Sequence, residues 1–293
     1  MADKKAKKRR LPYLLDIIIP IYGEWDLAER ALAAAIPQVE ALNIKARFIV
    51  VDNGSGPVQR PPLAPGMPLR TLTPKEAAAP IRGMLRPTDA FTRLEQNQGF
   101  PGAVNYGVSR GTAPYVMILS ADILLHDGAI GVLLKEMDNE DVGIVGMKLL
   151  FPPDTKNGPQ GMIQHAGQAI DISGQIIHIF IGWHPDHPKV NQRCEVSSVT
   201  GGVFMTRRSI WNDIGGMNTA YGSGTYEDVE YCIGVRLKCG KKVIYTPNAS
   251  AYHYVGGSIS HGQNKQGFAL YQNAQIFMAR NLNHLEWDDY KRR

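Results

Sequence analysis

The chain has 293 residues, 44% of them hydrophobic, enough for one large α/β domain or two small ones around a sizeable core. Its cysteines, Cys194, Cys232 and Cys239, are odd in number and lack CxxC spacing, which argues against a disulfide framework or a structural zinc site and for a reducing compartment. No apolar run approaches a membrane span and the N-terminus lacks a signal-peptide stretch, so the expectation is a cytoplasmic protein that is not inserted in a membrane. Much of the formal +5 sits in Lys4, Lys5, Lys7, Lys8, Arg9 and Arg10, with a second cluster at Lys291, Arg292 and Arg293. Two alternatives stay open for this basic tail: solvated ends, or contact with an anionic membrane or nucleic acid.

Residues 14–20 (LLDIIIP) form a near-continuous apolar run, as in a strand buried on both faces of a parallel sheet. Residues 25–42 are alanine-rich with helical spacing, and Pro37 is expected to bend or end that helix. A second buried strand at 47–51 (RFIVV) leads into Asp52-Asn-Gly-Ser55, a turn at its carboxyl end. In such β-α-β units ligands bind beyond the carboxyl ends of the strands, which singles out Tyr22, Glu24, Asp52 and Asn53. From 56 to 88 prolines crowd in and no periodicity survives, so a surface insertion is expected there.

A strand near 93–95 feeds the turn and helix of Asn97-Gln-Gly-Phe-Pro-Gly-Ala-Val-Asn105. Residues 115–119 form a further strand that runs into Ser120-Ala-Asp122. This alternation implies a mostly parallel sheet with helices on both faces. Beyond 150 the strands shorten, and 170–178 predicts an antiparallel hairpin. The loop 182–191 carries Trp183, His184 and His187; with no further ligands at suitable spacing it is a binding or surface loop before it is a metal site. A strand at 242–245 precedes His253 on a following loop, and 268–285 has the spacing of a packed or membrane-surface amphipathic helix.

The adjacent carboxylates Glu227 and Asp228 fall at the first turn of a helix that runs toward Lys238. There, unpaired N–H groups and the macrodipole would keep a carboxylate ionised and ready to accept a proton, although the same placement is also plain capping.

In this order the signals resemble a family 2 glycosyltransferase of the rhamnosyltransferase-like branch over most of residues 14–257. The matching segments are Ile17-Ile-Ile-Pro-Ile-Tyr22, Val50-Val-Asp-Asn-Gly-Ser55, Asn97 to Asn105, Gly111 to Asp122, Gln164-His-Ala-Gly167, Val199 to Arg208, Gly215-Gly-Met-Asn218, Tyr226-Glu-Asp-Val-Glu-Tyr-Cys232, and His253 before Gly256-Gly-Ser258. The resemblance implies an α/β GT-A (nucleotide-diphospho-sugar transferase) fold, with a mostly parallel central sheet, helices on both faces and a small antiparallel acceptor-side sheet. It would occupy 13–260 as a nucleotide-binding half (13–125, with the proline-rich insertion 56–88) and an acceptor half (126–260), between a basic tail at 1–12 and a helical extension at 261–293.

It further implies inverting transfer of a hexosyl or deoxyhexosyl group from a UDP-, GDP- or dTDP-sugar to a hydroxyl acceptor: a glycan, lipid-linked glycan or polymer. Asp228 would be the base, with Glu227 orienting the loop or exchanging roles with it. Asp52, Pro20, Tyr22 and Glu24 would receive the nucleoside, with Asn97, Gly99, Asn105, Ser120 and Ala121 around the donor. Thr200, Gly201 and Gly202 would form the floor under the sugar. Asp122 and His253 would hold Mn²⁺ or Mg²⁺ against the diphosphate. Trp183 is a candidate acceptor platform or a core residue. For Asp52, Asp122, His253 and Asn105 the structural alternatives are an Asx turn, a helix cap, a satisfied core histidine and helix packing. Two departures from the family pattern, Ser120 in an otherwise acidic motif and Gly234 in place of an arginine, keep a non-catalytic nucleotide- or glycan-binding domain in view. The basic tail keeps modified DNA in view as an acceptor. The expected localisation is cytoplasmic, with peripheral contact at a membrane's cytoplasmic face left open by the basic tail.

Overall fold

The computed structural model describes residues 13–60, 69–170, 175–254 and 266–285, with side chains described from 270 onward in the last span. The basic tail, the cluster at 291–293, Gly256-Gly-Ser258 and residues 61–68 of the proline-rich stretch lie outside the described residues.

Strand β1 (Leu15–Ile21), helix α1 (Trp25–Ala41) and strand β2 (Ala46–Asp52) form the first β-α-β unit. The parallel register from Leu15↔Ala46 to Ile21↔Asp52 sends Ile17, Ile19 and Val50 to one face of the sheet and Ile18, Ile49 and Val51 to the other. Both faces are covered, which is why the apolar run is continuous rather than alternating. Helix α1 does not end at Pro37 but continues to Ala41. The turn beyond the proline is held by buried Val39 and by Gln38, whose Nε2 donates to the carbonyls of Ala34 and His126, both at 3.1 Å.

The proline-rich stretch is more than a surface insertion. It contains the antiparallel strands β3 (Val58–Arg60) and β4 (Arg70–Leu72) and the short helices α2 (Pro74–Ala77) and α3 (Ala79–Met84). Leu72, Ala77, Ala78 and Ile81 join the main core. Pro74 and Pro80 occupy first-turn helix positions, where a missing N–H costs nothing, and Thr73 with Glu76 closes a capping box ahead of Pro74.

Next come β5 (Ala90–Arg93), α4 (Gly99–Ser109), β6 (Tyr115–Leu119), β7 (Ile123–Leu125), α5 (Ala129–Glu136) and β8 (Val142–Leu150). Short strands β9 (Ile163–His165), β10 (Gln168–Ile170), β11 (Ile176–His178) and β12 (Cys194–Glu195) precede β13 (Val203–Arg207) and α6 (Arg208–Ile214). The described chain closes with α7 (Glu227–Leu237), β14 (Lys242–His253) and α8 (Gln266–Asn281).

The main sheet has the order β12-β14-β8-β13-β6-β1-β2-β5. Strands β5, β2, β1 and β6 run parallel, as do β8 and β14, while β13 is antiparallel to both its neighbours. Residues of α1, α3 and α5 pack on one face and those of α4, α6 and α7 on the other. The hairpin expected near 170–178 is β10 with β11. Far from the strands' carboxyl ends, buried Asp16 takes Arg47 at 2.9 Å, Arg208 at 2.7 Å and the Ala113 N–H at 2.7 Å. This places Arg208 in a structural cluster. Arg207 likewise donates to the carbonyls of Met137, Asn139 and Val142.

Candidate active site

Parallel strands bring their carboxyl ends to one edge of the sheet, and the antiparallel β13 brings its amino end to the same edge. The candidate residues therefore collect there: Pro20 and Tyr22 after β1, Asp52 after β2, Ser120 to Asp122 after β6, and Thr200 to Gly202 before β13.

At the end of β2, Asp52 is buried and accepts from the Ser55 N–H at 2.9 Å through Oδ1. It thus forms the Asx turn, and its Oδ2 also pairs with Arg93 at the end of β5, whose guanidinium reaches the Ser55 carbonyl at 2.7 Å. Arg93 was not singled out from the sequence, since a lone arginine after a short strand carries no signal. A cavity of about 270 Å³ lies against Asp52, Arg93, Arg82 and Phe91, and another of about 390 Å³ is lined by Tyr22, Gly23 and residues 55–59. Pro20 is buried within β1, Tyr22 is exposed, and Glu24 accepts from the Tyr22 N–H at 2.8 Å.

The turn at 97–99 is tied to β2 by Asn53, which donates to Asn97 Oδ1 at 2.9 Å and accepts from the Gln98 N–H at 2.9 Å. Gly99 has φ +74°, and a Cβ there would lie 1.7 Å from the Gly222 carbonyl, so only glycine permits this approach. Asn105 points elsewhere. Its amide exchanges two hydrogen bonds, at 2.7 and 2.9 Å, with the backbone of Met217, which matches the packing alternative.

Asp122 caps no helix, because β7 begins at the next residue and α5 starts after Gly128. Its Oδ1 accepts from the Ser120 hydroxyl at 2.6 Å, and its Oδ2 lies 3.6 Å from His253 Nε2. Burial alone would raise Asp122, but His253 and the Ser120 hydroxyl outweigh it and hold the carboxyl below its ordinary range. His253 stands at the end of β14, opposite Ile123, rather than on a loop after a short strand; β14 runs 12 residues because its far end gains β7 as a partner.

His253 Nδ1 meets the Gln164 amide at 3.1 Å, and with the amide oxygen toward the ring the Nδ1 nitrogen donates. The proton on Nε2 is the one that draws Asp122 down, and its loss would turn an Nε2 lone pair toward the carboxylate. Two such atoms 3.6 Å apart can share a divalent cation at bonds of about 2.1 Å, and an outer-sphere partner on the remaining imidazole N–H is usual for a ligating histidine. The pair therefore fits a divalent ion. Among the described residues no third His, Cys, Asp or Glu joins it, which leaves the rest of a coordination shell to phosphate oxygens and water.

On the opposite flank, Glu227 and Asp228 open α7 but neither caps it; the cap position is Tyr226. Thr225 and Tyr226 have φ +78° and +69°, a strained approach for residues with side chains. It is clamped by α8: Asn273 donates to the carbonyls of Tyr221 at 2.9 Å and Gly224 at 2.7 Å, and the Phe277 ring packs 5.1 Å from that of Tyr226.

Both carboxylates are buried. Asp228 Oδ2 accepts from the Gly201 N–H at 2.7 Å and from Gln168 Nε2 at 3.3 Å, while Oδ1 accepts from the Val229 N–H at 2.9 Å. Burial raises Asp228 and these bonds oppose it. Glu227 is driven well above the usual carboxylate range, by burial first and the Asp228 charge second. Its Oε2 has no hydrogen-bond partner among the described residues. Desolvation thus works against the ionisation that a helix end favours, most strongly at Glu227. The geometry separates the pair into a proton holder, Glu227, and a hydrogen-bonded carboxylate, Asp228.

The floor connects the two flanks. Thr200 is buried, Gly201 binds Asp228, and the Gly202 carbonyl accepts from the Ser120 N–H at 2.7 Å. A side chain at Gly201 would meet Asp228 Cβ at 3.2 Å and Glu227 Oε1 at 3.4 Å. Gly234 faces Ile214 of α6, at 3.2 Å from a Cβ built on it. Trp183 is about one-third exposed, between the rings of Phe180 and His187, and its carbonyl accepts from the Ile163 N–H at 2.8 Å.

Residues 90–215 match the family model described as Glycosyl transferase family 2. Over 96% of its length the chain superposes on the crystal structure of GalNAc-T7 with UDP, GalNAc and Mn²⁺ (TM-score 0.66, 15% identity, 49% of that chain). It does so too on the mannosyltransferase PcManGT from Pyrobaculum calidifontis in complex with GDP-Man and Mn²⁺ (96% of this chain, 67% of that one, TM-score 0.58, 16% identity). The fold is GT-A. Residues 90–215 thus resemble the family 2 glycosyltransferases, within a fold shared with both of these structures.

Curated relatives include the O-antigen biosynthesis protein RfbC of Myxococcus xanthus, 27% identical over 168 residues, and the uncharacterized protein y4gI of Sinorhizobium fredii, 25% identical over 181. These alignments take in 54% and 60% of this chain but only 12% and 19% of the relatives, so the chain spans less than a fifth of their length. Among the described residues no helix is long and apolar enough to cross a membrane.

Proposed function

We propose that this chain is an inverting glycosyltransferase that moves a hexosyl or deoxyhexosyl group from a nucleotide sugar to a hydroxyl acceptor. The observation that carries the proposal is the placement of Asp122 with His253 and of Asp228 on either side of the floor at Thr200 to Gly202. Asp228 takes the proton of the acceptor hydroxyl as its oxygen bonds to the anomeric carbon; the bond from that carbon to the diphosphate breaks, and the nucleoside diphosphate leaves from the opposite face. A positioned base contributes roughly 10²–10⁴ in rate. Glu227, protonated, remains a donor toward sugar or acceptor hydroxyls. Asp122 and His253 would hold Mn²⁺ or Mg²⁺, which supplies positive charge for the leaving diphosphate.

Asp52, with Arg93, receives the nucleobase beside Tyr22, and Trp183 offers its exposed face to the acceptor. A relative in O-antigen biosynthesis favours a glycan or lipid-linked glycan as acceptor and the cytoplasmic face of a membrane as the place of action. The rhamnosyltransferase-like branch rests on the motif order alone. The test is Asp228→Asn, which leaves donor binding close to wild type and abolishes transfer. Near-normal turnover in that variant would remove Asp228 as the base.

A further inference from the structure

Two histidines that this chemistry does not use, His165 and His178, lie behind the floor of the site. His165 is fully buried; its Nε2 accepts from the Thr200 N–H at 3.5 Å, and its Nδ1 lies 3.0 Å from His178 Nδ1. A backbone N–H can only donate, so His165 Nε2 carries a lone pair and the ring's proton sits on Nδ1. That proton is donated to His178 Nδ1, which leaves the proton of the neutral His178 ring on Nε2. The direction of the relay is set by its anchor and cannot reverse while both rings are neutral.

Burial keeps them neutral: it drives His165 well below its ordinary value, with His178 adding to the effect, and it lowers His178 to about 4 with help from His253. The two rings meet edge to face, with centroids 5.1 Å apart.

The relay ends next to the residues that support the site. His178 is the cross-strand partner of Gln168 in the β10–β11 pair, and directly opposed residues project from the same face of a sheet. Gln168 is the residue that donates to Asp228, while Gln164, the neighbour of His165, holds His253. His178 thus shares a sheet face with the residue that supports Asp228, and its relay partner His165 adjoins the residue that holds His253. It is half-buried, and its Nε2 has no partner among the described residues.

We propose that His178 belongs to the donor site, with its Nε2–H donating a hydrogen bond to an oxygen of the bound nucleotide sugar, either a phosphate oxygen or a sugar hydroxyl. This rests on the glycosyltransferase proposal above. A neutral donor suits the position, because an imidazolium there would repel a cation held by Asp122 and His253, whereas a fixed N–H adds directionality without charge.

The test uses the full chain with Mn²⁺, titrated calorimetrically with UDP, GDP and dTDP and then with the sugar-linked form of whichever binds. It compares the wild type with His178→Phe and His178→Gln. The Phe variant is expected to bind roughly tenfold or more weakly, the worth of one hydrogen bond to a charged or polar oxygen, and the Gln variant, which keeps an N–H near the Nε2 position, to recover most of the loss. A loss confined to the nucleotide sugar assigns a sugar hydroxyl, and a loss with the free diphosphate assigns a phosphate oxygen. Imidazole nitrogen NMR of the wild type should show His178 protonated on Nε2. That arm, with the Gln variant, decides the matter if the Phe variant does not fold. Unchanged affinity in the Phe variant, or an Nδ1-protonated His178, overturns the proposal while leaving the glycosyltransferase intact. If the wild type binds none of the three nucleotides, the glycosyltransferase proposal fails and this one fails with it.

Discussion

Gln168→Met tests the proposal that Asp228 is a base held available by its hydrogen bonds. The Gln168 amide is oriented by the Ser198 hydroxyl, which donates to Oε1 at 2.9 Å and so turns Nε2 toward Asp228 Oδ2 at 3.3 Å. Methionine has nearly the same volume but no donor, so Asp228 keeps the Gly201 and Val229 N–H groups and loses one bond. A hydrogen bond to a charged group is worth about 1.5–3 kcal/mol, and at 3.3 Å the lower end applies. At about 1.4 kcal/mol per unit, this raises the Asp228 pKa by about one unit. The base works only when ionised, so the acid limb of the pH–rate profile moves up by about one unit while the alkaline plateau changes little. Mn²⁺-dependent hydrolysis of the donor, with water as acceptor, provides the rate. An unmoved acid limb in a variant that unfolds at the wild-type temperature would refute Gln168 as the support of this carboxylate.

Glu227→Gln should stabilise the protein increasingly as pH rises. The folded-state pKa of Glu227 lies above its unfolded value, so its contribution is fully present below the unfolded pKa and is lost as pH climbs through the folded one, whereas glutamine never ionises. Thermal unfolding of both proteins from mildly acidic to alkaline pH checks this, and parallel curves would contradict it. Asp122→Ala is expected to abolish the Mn²⁺-dependent part of donor affinity, read by calorimetry with and without the ion; an unchanged isotherm removes its metal role. Asn273→Ala leaves the buried carbonyls of Tyr221 and Gly224 without their shared donor and should cost about 1–3 kcal/mol in denaturant unfolding. It should also lower kcat more than donor affinity, because it loosens the loop that aims Asp228 and not the nucleoside end. An equal effect on both would argue against a role confined to the loop.

Much of this fold can be read without coordinates because parallel strands covered on both faces must be apolar throughout. The stretches 14–20 and 115–119 declare themselves in this way, and Asn97 to Asn105 opens its helix where the turn chemistry says it should. Local rules failed where a neighbour in space overrode them. Pro37 does not break α1, since Val39 and Gln38 are anchored to the core. Pro74 and Pro80 start helices instead of marking a loop. His253 lies in a strand because β7, which follows a different strand, extends β14. At the site, Asp52, Asp122, His253 and the pair at 227–228 were visible as residue types in a fixed order, whereas Arg93, Gln164, Gln168 and His178 were not. Nothing in linear spacing says that these four will face a carboxylate or an imidazole.

The sequence by itself determined the alternation of strand and helix and which acidic residues end up at the carboxyl edge of the parallel strands, since these follow from periodicity, turn residues and chain order. Only the tertiary structure decided their state of charge. A helix terminus favours an ionised carboxylate locally, but desolvation depends on everything packed around it. Here that packing lifts Glu227 well above its ordinary range while three donors hold Asp228 back. The same is true of the tautomers of His165, His178 and His253. For His165 it is dictated by the backbone N–H of Thr200, which can only donate, for His178 by His165, and for His253 by the way the Gln164 amide is turned.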